Sequence, residues 1–389
     1  MNSFELALPT HVVFGAGQVV RVGEIARRFG RRALVVTGSA SSRQYGTLDR
    51  VATYLRQAGV EAVIFNRVQP NPLSTTADEG AALARSEECD LVVGVGGGSA
   101  MDCAKAIALA TVNEGGIWDY IPTAKPAKRI PEGALPIVLV TTTAGTGTEV
   151  DRFFVLTNPE AGAKVGTGFS CTYSRVAIVD PELTLTVPPR QTAATGLDVL
   201  FHAVESYVHT SANRVSDMMA EEAMRVVAAN LETVYRDGNN IEARTNMAWG
   251  NIAAGIAEDR GGVVLLHNLA HPVGALTGAT HGLALAACCL PWMHFSLEWA
   301  PERFALIAEF LGEDVSGLPV GKAAAKSVDA MERILRSVDA SVTLRDLGVR
   351  LDMVDSMARD NFRLMPGLIE HNPRLASLDD VIRLYREAL

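Results

Sequence analysis

The sequence predicts an α/β domain with a parallel, Rossmann-like sheet over residues 1–185, followed by an all-α domain over residues 186–389. Three observations predict it. Short apolar runs alternate with amphipathic stretches through the first half. Two of those runs end directly in glycine-rich turns. After about Leu185 the strand-like runs stop and long helical patterns take over.

Taken in order, Ala33–Thr37, Ala62–Phe65, Leu91–Val95, Ile137–Thr141 and Val176–Val179 are near-continuous apolar runs, as expected of strands covered on both faces. Thr47–Ala58 and Thr75–Ser86 carry apolar residues at helical spacing between them. That alternation argues for a parallel sheet with helices on both sides. Pro188-Pro189 closes the first domain, and Gln191–His209, Ser216–Tyr235 and Asn246–Ala257 read as helices, with more from Glu302 onward. Gly261-Gly262 is expected to break the chain before Val263–Leu269, and His281 to stand at the next helix start.

At 389 residues the chain is too long for one ordinary core. It is 48% hydrophobic and 20% charged, a globular balance. The formal net charge of -9, without a dense Lys/Arg cluster, speaks against nucleic acid or an anionic membrane as partner. Cys89, Cys103, Cys171, Cys288 and Cys289 are odd in number and form no C-x2-C pair, which fits a reducing compartment better than a disulfide framework. Met1–Thr10 has no secretory pattern, and the apolar run Gly282–Met293 is too short to span a bilayer. A soluble cytoplasmic protein is expected.

The first glycine turn is G-V-G-G-G-S-A-M-D-C-A-K-A-I-A, Gly94–Ala108. Gly96, Gly97 and Gly98 follow a strand, and a helix is expected to begin around Ser99, a good N-cap. Amides at a helix start bind phosphate, and missing Cβ atoms let a pyrophosphate approach the main chain. The spacing is not G-x-G-x-x-G, so a dinucleotide reading rests on context, and a plain tight turn is its competitor. The second turn, T-T-T-A-G-T-G-T-E at Thr141–Glu149, offers hydroxyls to phosphate, ribose or nicotinamide amide; its competitor is a polar loop before a capped helix. Beyond Thr37 the chain reads Gly38-Ser39-Ala40-Ser41-Ser42-Arg43, with no acid until Asp49. An acid near such a strand end binds the ribose 2′-hydroxyl of NAD. Small hydroxyl residues and Arg43 suit a 2′-phosphate instead, which favours NADPH over NADH, against a surface loop with no preference.

Ligand-type residues concentrate between Asp198 and His281. Of the 8 histidines, His267, His271 and His281 fall within one short stretch. On a helix, residues four apart share a face, so Asp198 with His202 and His267 with His271 each aim two side chains in one direction. Asp198, His202, His267 and His281 together make one carboxylate and three imidazoles, a set for Fe²⁺ or Zn²⁺. A lone D-x3-H is more often a surface pair; the combination argues for a site. Glu205, between one and two turns after Asp198, reads first as a plain salt-bridge partner, with support of a ligand as the competing role. His209 and His294 read as surface or interface histidines.

These residues carry a resemblance. The chain resembles the iron-containing (group III) metal-dependent alcohol dehydrogenases, which share a superfamily with glycerol dehydrogenase and dehydroquinate synthase. The matching motifs run nearly end to end: F-G-A-G at Phe14–Gly17, P-N-P at Pro70–Pro72, G-G-G-S-x2-D-x2-K at Gly96–Lys105 and T-T-A-G-T-G-T-E at Thr142–Glu149. D-P-E-L-T at Asp180–Thr184, P-P at Pro188–Pro189, G-x-D-x3-H-x2-E at Gly196–Glu205 and H-x3-H-P-x-G with a later H-G at His267–Gly282 complete the series. The resemblance implies a dinucleotide-binding first domain, a helical metal-binding second domain and an active site in the cleft between them. It implies metal ligation by Asp198, His202, His267 and His281. It implies cofactor contacts at Asn71, Gly97, Gly98, Ser99, Asp102, Thr142, Thr143, Thr146, Lys164 and Leu183, to which the strand-end reading adds Gly38 and Ser39. A homodimer or higher homo-oligomer is expected with it.

The implied reaction is hydride transfer between NAD(P)(H) and a small alcohol or aldehyde, with the metal as Lewis acid. His271, one turn from His267 and outside the four ligands, is the candidate proton relay; its competing role is to support a ligand or line the pocket. Asp151, Phe153 and Phe154 line the pocket or belong to strand core. A short primary alcohol or aldehyde is the default substrate, and an acidic aldehyde lies within the family's range. Two alternatives stand against this: a dehydroquinate-synthase-like NAD- and metal-dependent lyase, for which the ligand motifs lack basic neighbours, and a non-catalytic binding protein. The sequence departs from the family where relatives often carry an Asp and it has Gly38, at Thr148 in place of Ser, at Leu285 in place of Asn, and in Phe169–Arg175, which lacks a frequent proline.

Overall fold

The computed structural model describes residues 4–38, 46–123 and 125–389. Ser39 and the Ala40–Arg43 stretch of the 2′-phosphate reading lie outside the described residues. The chain forms two compact units, one running Ala7–Val187 and the other containing Pro188–Leu389.

In the first unit the strands are β1 (His11–Phe14), β2 (Arg32–Gly38), β3 (Glu61–Val68), β4 (Leu91–Gly96), β5 (Ile137–Thr141), β6 (Phe153–Asn158), β7 (Ala163–Gly168) and β8 (Val176–Val179). Its helices are α1 (Val22–Ala26), α2 (Thr47–Gln57), α3 (Ser74–Ser86) and α4 (Gly98–Val112). Among the described residues, the main sheet has the order β1-β8-β5-β4-β2-β3 and every pairing is parallel. The apolar runs form its centre: Val35, Val93, Val138 and Ile178 join one buried cluster with Val22, Leu55 and Leu183. Helix α4 is sunk in the unit, with Ala100–Ala110 all buried. Small residues permit that depth. A Cβ on Gly94 would stand 2.9 Å from that of Ala104, and one on Gly80 would run into Ile107 at 2.3 Å.

Three features were not anticipated. Edge strand β1 pairs with β8, and β6 with β7 form a separate antiparallel ribbon. The helix expected from Ser99 begins at Gly98, so Gly97 and not Ser99 is its N-cap. Of its two expected places, Phe154 takes the strand core, fully buried. The D-P-E-L-T motif has a structural job as well: the Asp180 carboxylate accepts from the amides of Gly17 and Val19 at 3.0 Å each, tying the turn after β1 to the end of β8.

The second unit is helical throughout the described residues: α5 (Pro189–Val208), α6 (Arg214–Arg236), α7 (Ile241–Gly261), α8 (Leu265–Thr277), α9 (His281–Ser296), α10 (Pro301–Phe310), α11 (Val320–Ser337), α12 (Val354–Leu364), α13 (Pro366–Glu370) and α14 (Leu378–Ala388). Local chemistry sets the boundaries. Pro189 starts α5 at a position where no amide partner is needed. Asn213 and Asn240 cap α6 and α7 through their side-chain oxygens, and Ser377 with Asp380 forms a capping box on α14. Gly262, at φ 94, ends α7 where the sequence places a break. Among the described residues no helix is long and apolar enough to cross a membrane.

Candidate metal centre and cofactor loops

Helix α5 carries Asp198 and His202 one turn apart, and both are buried. Helix α8 carries His267 and His271, and His281 is the first residue of α9. The close crossing of α5 and α9 depends on one missing atom: a Cβ on Gly282 would lie 1.9 Å from the Ala194 carbonyl oxygen. With glycine there, the preceding residue, His281, reaches α5, and its Nε2 stands 3.9 Å from Asp198 Oδ1. His267 Nε2 stands 3.8 Å from the same oxygen. One ligand-type atom from each of Asp198, His267 and His281 falls within 4.8 Å of the others. The His202 ring stacks on that of His267 with centroids 4.5 Å apart.

His267 shows the chemistry most directly. Its Nδ1 faces Glu205 Oε2, while Glu205 Oε1 accepts from the amides of Val264 at 2.9 Å and His267 at 3.2 Å. Fully buried Glu205 thus holds both the first turn of α8 and the imidazole ring. The carboxylate is thus an ion-pair partner, as the first reading of Glu205 expects, and its place on one ring nitrogen also turns the other outward, as the competing reading expects. That other nitrogen, Nε2, is buried and makes no hydrogen bond among the described residues. Burial pulls the ring toward neutrality, but Glu205, with Asp198 and Glu258 behind it, holds His267 above the ordinary histidine range. A donor set of two imidazoles and a carboxylate, buried at Asp198 and His267 and half-buried at His281, with an imidazole nitrogen lacking a hydrogen bond among the described residues, fits a divalent cation.

The remaining helices brace α8. Pro272 lies inside it and has no amide to offer the Asn268 carbonyl one turn back. Asn361 Nδ2 supplies that bond at 2.5 Å, and the Asn268 side chain donates to the Met365 carbonyl at 2.8 Å. Tyr385 donates to the Leu269 carbonyl at 2.9 Å. His271 is buried, 5.5 Å from the His281 ring and 6.5 Å from the His267 ring, with Nδ1 3.1 Å from Met365 Sδ. His294 is exposed. His209 is not a surface residue: it is buried, stacked on His371 at 4.5 Å and pressed against Gly262. Burial, with His371 adding to it, takes its pKa down to about 4. Glu258, which no motif picks out, places Oε2 3.5 Å from His202 Nε2.

In the other unit the two glycine-bearing loops touch. A Cβ on Gly97 would stand 2.9 Å from Thr143 Oγ1, and one on Gly98 2.4 Å from Thr146 Cγ2. Glycine is therefore required for loop packing alone. Thr142 donates its amide to the Gly96 carbonyl at 3.0 Å. Ser99 lies in the first turn of α4, where amides have no intrahelical acceptor. Asp102, fully buried, accepts from the Thr148 hydroxyl at 2.8 Å and the Val155 amide at 3.0 Å. Burial pushes its carboxyl up, against the pull of Lys105 and those two bonds. Lys105 donates to Thr148 Oγ1, Asp151 Oδ1 and the carbonyls of Asp151 and Phe153 at 2.7–3.0 Å. The D-x2-K pair thus pins the chain between the threonine loop and β6. Lys164 and Asn71 meet at 2.8 Å, with Asn71 at φ 53. Leu183 lies in the apolar core, and Gly38 ends β2, where an added Cβ would meet, among the described residues, the Val68 carbonyl at an ordinary 3.7 Å.

Comparison with known proteins agrees with this geometry. The family model for iron-containing alcohol dehydrogenase matches residues 9–181, and the model for the C-terminal part of the same family matches residues 192–389. The chain is 38% identical to 1,3-propanediol dehydrogenase of Klebsiella pneumoniae over 99% of its length and 98% of that protein's. It is 35% identical to the NAD-dependent methanol dehydrogenase of Bacillus methanolicus, covering 98% of this chain and 99% of that one. Among solved structures, 1,3-propanediol oxidoreductase superposes with a TM-score of 0.94 at 37% identity, covering 100% of both chains. These relatives give the lyase alternative no support. The chain belongs to the iron-containing alcohol dehydrogenase family and is an oxidoreductase acting on alcohols with a nicotinamide cofactor.

Proposed function

We propose that Asp198, His202, His267 and His281 hold the catalytic divalent metal, Fe²⁺ or Zn²⁺, of an enzyme that interconverts a small primary alcohol and its aldehyde. One observation carries the assignment: ligand atoms of buried Asp198, buried His267 and half-buried His281 converge within 4.8 Å. His202 enters through its stack on His267. Bound there, a divalent ion supplies Lewis acidity toward an alcohol or carbonyl oxygen. The nicotinamide supplies the carbon that takes or gives the hydride. The chain does the rest. Glu205 orients His267, and Pro272, Asn361 and Tyr385 keep α8 in place. His271 carries the proton toward solvent through Nε2, because its Nδ1 is turned to the weak acceptor sulfur of Met365.

The unit around the parallel sheet takes the dinucleotide role, corresponding to residues 1–185, and the helical unit from 186 onward takes the metal role. Amides at the start of α4, with Gly97, Gly98 and Ser99, face the pyrophosphate, and the hydroxyls of Thr142, Thr143 and Thr146 serve ribose and nicotinamide amide. Asn71 and Lys164 act as one hydrogen-bonded pair beside them. Asp102 and Leu183 support that surface from behind, one through Thr148 and the other through the core. NADPH is the preferred cofactor, on the argument that Gly38 leaves the ribose without an acid. Gly38→Asp, which an ordinary Cβ contact allows, is expected to shift the kcat/KM ratio toward NADH by about tenfold or more. An unchanged ratio refutes the preference. The free cysteines support a reducing, cytoplasmic setting, and the resemblance supports a homodimer or higher homo-oligomer.

The test of the whole assignment is His267→Ala, made anaerobically and assayed with NADH and NADPH in parallel. Expected are loss of bound metal and of activity with near-native circular dichroism. A variant that keeps its metal and its turnover removes His267 from the ligand set.

A further inference from the structure

The candidate relay His271 lies against a sulfur, and sulfur has chemistry of its own. Met365 joins α12 to α13, and its Sδ stands 3.1 Å from His271 Nδ1. A thioether is a weak acceptor for such a ring nitrogen. The same residue braces α8 a second time: its carbonyl accepts from Asn268 at 2.8 Å, and Asn268 directly follows His267. Met365 thus meets α8 at two points, at His271 through its side chain and at Asn268 through its backbone.

Access narrows the choice of sulfur. Among the described residues six methionines are buried, and Met218, Met219, Met353 and Met365 are not. Met218 is exposed and Met219 half-buried on α6. Met353 faces its own turn, where its Sδ accepts from the Arg350 amide at 3.4 Å. Half-buried Met365 is the one of these four that the structure sets against His271.

A hydroperoxide converts a thioether to the sulfoxide by oxygen transfer. The sulfur lone pair attacks the outer oxygen of ROOH, the S–O bond forms and the O–O bond breaks. The hydrogen of the transferred hydroxyl passes to the leaving oxygen, which departs as ROH, so sulfur is oxidised and the peroxide reduced. The product is polar and carries a strong acceptor oxygen where a weak one stood. A separation of 3.1 Å leaves no room for that oxygen between sulfur and nitrogen, because a hydrogen bond to it takes about 2.7–3.2 Å of its own. Ring and sulfur must part, and the Asn268 bond on the same residue is disturbed with them.

We infer that Met365 is a modification site, oxidised by a hydroperoxide to the sulfoxide, and that the new oxygen captures His271 and turns the site down until a sulfoxide reductase restores it. The inference rests on the alcohol dehydrogenase reading given above and adds a regulation to it.

The test uses the full-length protein loaded with Zn²⁺, which has no redox chemistry of its own. Hydrogen peroxide is added and then removed with catalase, and every methionine-containing peptide is mapped by mass. Sulfoxide is expected at Met365 as well as at exposed Met218. The kcat/KM for a short primary alcohol is expected to fall by about tenfold or more, and metal affinity in chelator competition to fall with it. Methionine sulfoxide reductase is expected to restore both. Met365→Leu, a volume-conserving change, is expected to keep its own untreated activity through the same exposure, whereas Met218→Leu and Met353→Leu lose activity as the wild type does. A Met365 that stays reduced while Met218 is converted overturns the inference. So does sulfoxide at Met365 with turnover and metal affinity both unchanged, or a Met365→Leu protein that loses activity as the wild type does. Where Met365→Leu fails to fold, the reductase arm decides: a loss that persists once Met365 maps as the thioether again overturns the inference too. A protein that turns over no alcohol before treatment, yet loses metal affinity reversibly with Met365 oxidation, leaves the inference standing and counts against the substrate reading.

Discussion

Glu205 is the residue on which the geometry of His267 turns. Its two oxygens satisfy three donors, one on the ring and two on the backbone. Glu205→Gln keeps the backbone acceptor but replaces the carboxylate that receives Nδ1–H. Metal affinity is expected to fall about 10–100-fold, with little change in the melting temperature of the metal-free protein. Glu205→Ala is expected to lose both, since it leaves buried amides without acceptors at about 1–3 kcal/mol each. Chelator competition and thermal scans on the two variants check the distinction, and equal affinities in wild type and Gln variant would falsify the orienting role. The proposed ligands stood out in the sequence because i,i+4 spacing on one helix is a local signal. Asp198 with His202 alone reads as a surface pair, and His267, His271 and His281 in one short stretch turned the reading toward a site. Glu205 was in plain view in the same motif, but its partner lies 62 residues away, and spacing alone does not reveal which way a buried carboxylate faces. Glu258 had no signal at all: an acid near a helix end is ordinary, and only the fold brings it beside His202.

At the scale of elements, the crossing of α5 and α9 decides whether three ligands can meet. Gly282→Ala forces a methyl group against the Ala194 carbonyl at 1.9 Å, so one helix must move. A loss of about 3 kcal/mol in stability is expected, together with weaker metal binding, because His281 is the neighbouring residue. Substitution at Gly278, where none of the described residues lies within 4 Å of an added Cβ, serves as the control for glycine content, since its cost there comes from φ 70. A Gly282→Ala protein that melts and binds metal as the wild type does removes the crossing from the explanation. The buried strands were legible because both faces are covered and the apolar run is unbroken. Strand β1 was not: its four residues at the sheet edge are mixed in exposure. The β6–β7 ribbon was hidden by its own composition, with Lys164, Gly166 and Gly168 interrupting any alternation. The start of α4 was misplaced because Ser99 is the better capping side chain, yet Gly97 and Gly98 must be bare where Thr143 and Thr146 press against them.

For the whole molecule, acid stability follows from His209. Its folded pKa of about 4 lies below the ordinary 6.5, so the native state resists a proton that the unfolded chain accepts. Its contribution is complete above pH 6.5 and is lost as pH falls toward 4. Replacement by glutamine, which cannot titrate, is expected to flatten the melting temperature over that window relative to wild type. Parallel curves for the two proteins exclude His209 as the cause. The sequence reads His209 as a surface or interface histidine because it matches no motif; its burial comes from Gly262 and His371, contacts that only the folded chain supplies.

The tie between β1 and β8 also bears on how the protein is made. Gly17 is held by a carboxylate 163 residues downstream. At about 5–20 residues per second, a ribosome delivers His11–Phe14 roughly ten to thirty seconds before the strand that receives it. During that interval the oldest part of the nascent polypeptide has no place in the sheet. Its edge is closed only when the last strand of the unit has left the exit tunnel, so the first strand synthesised is among the last to be seated.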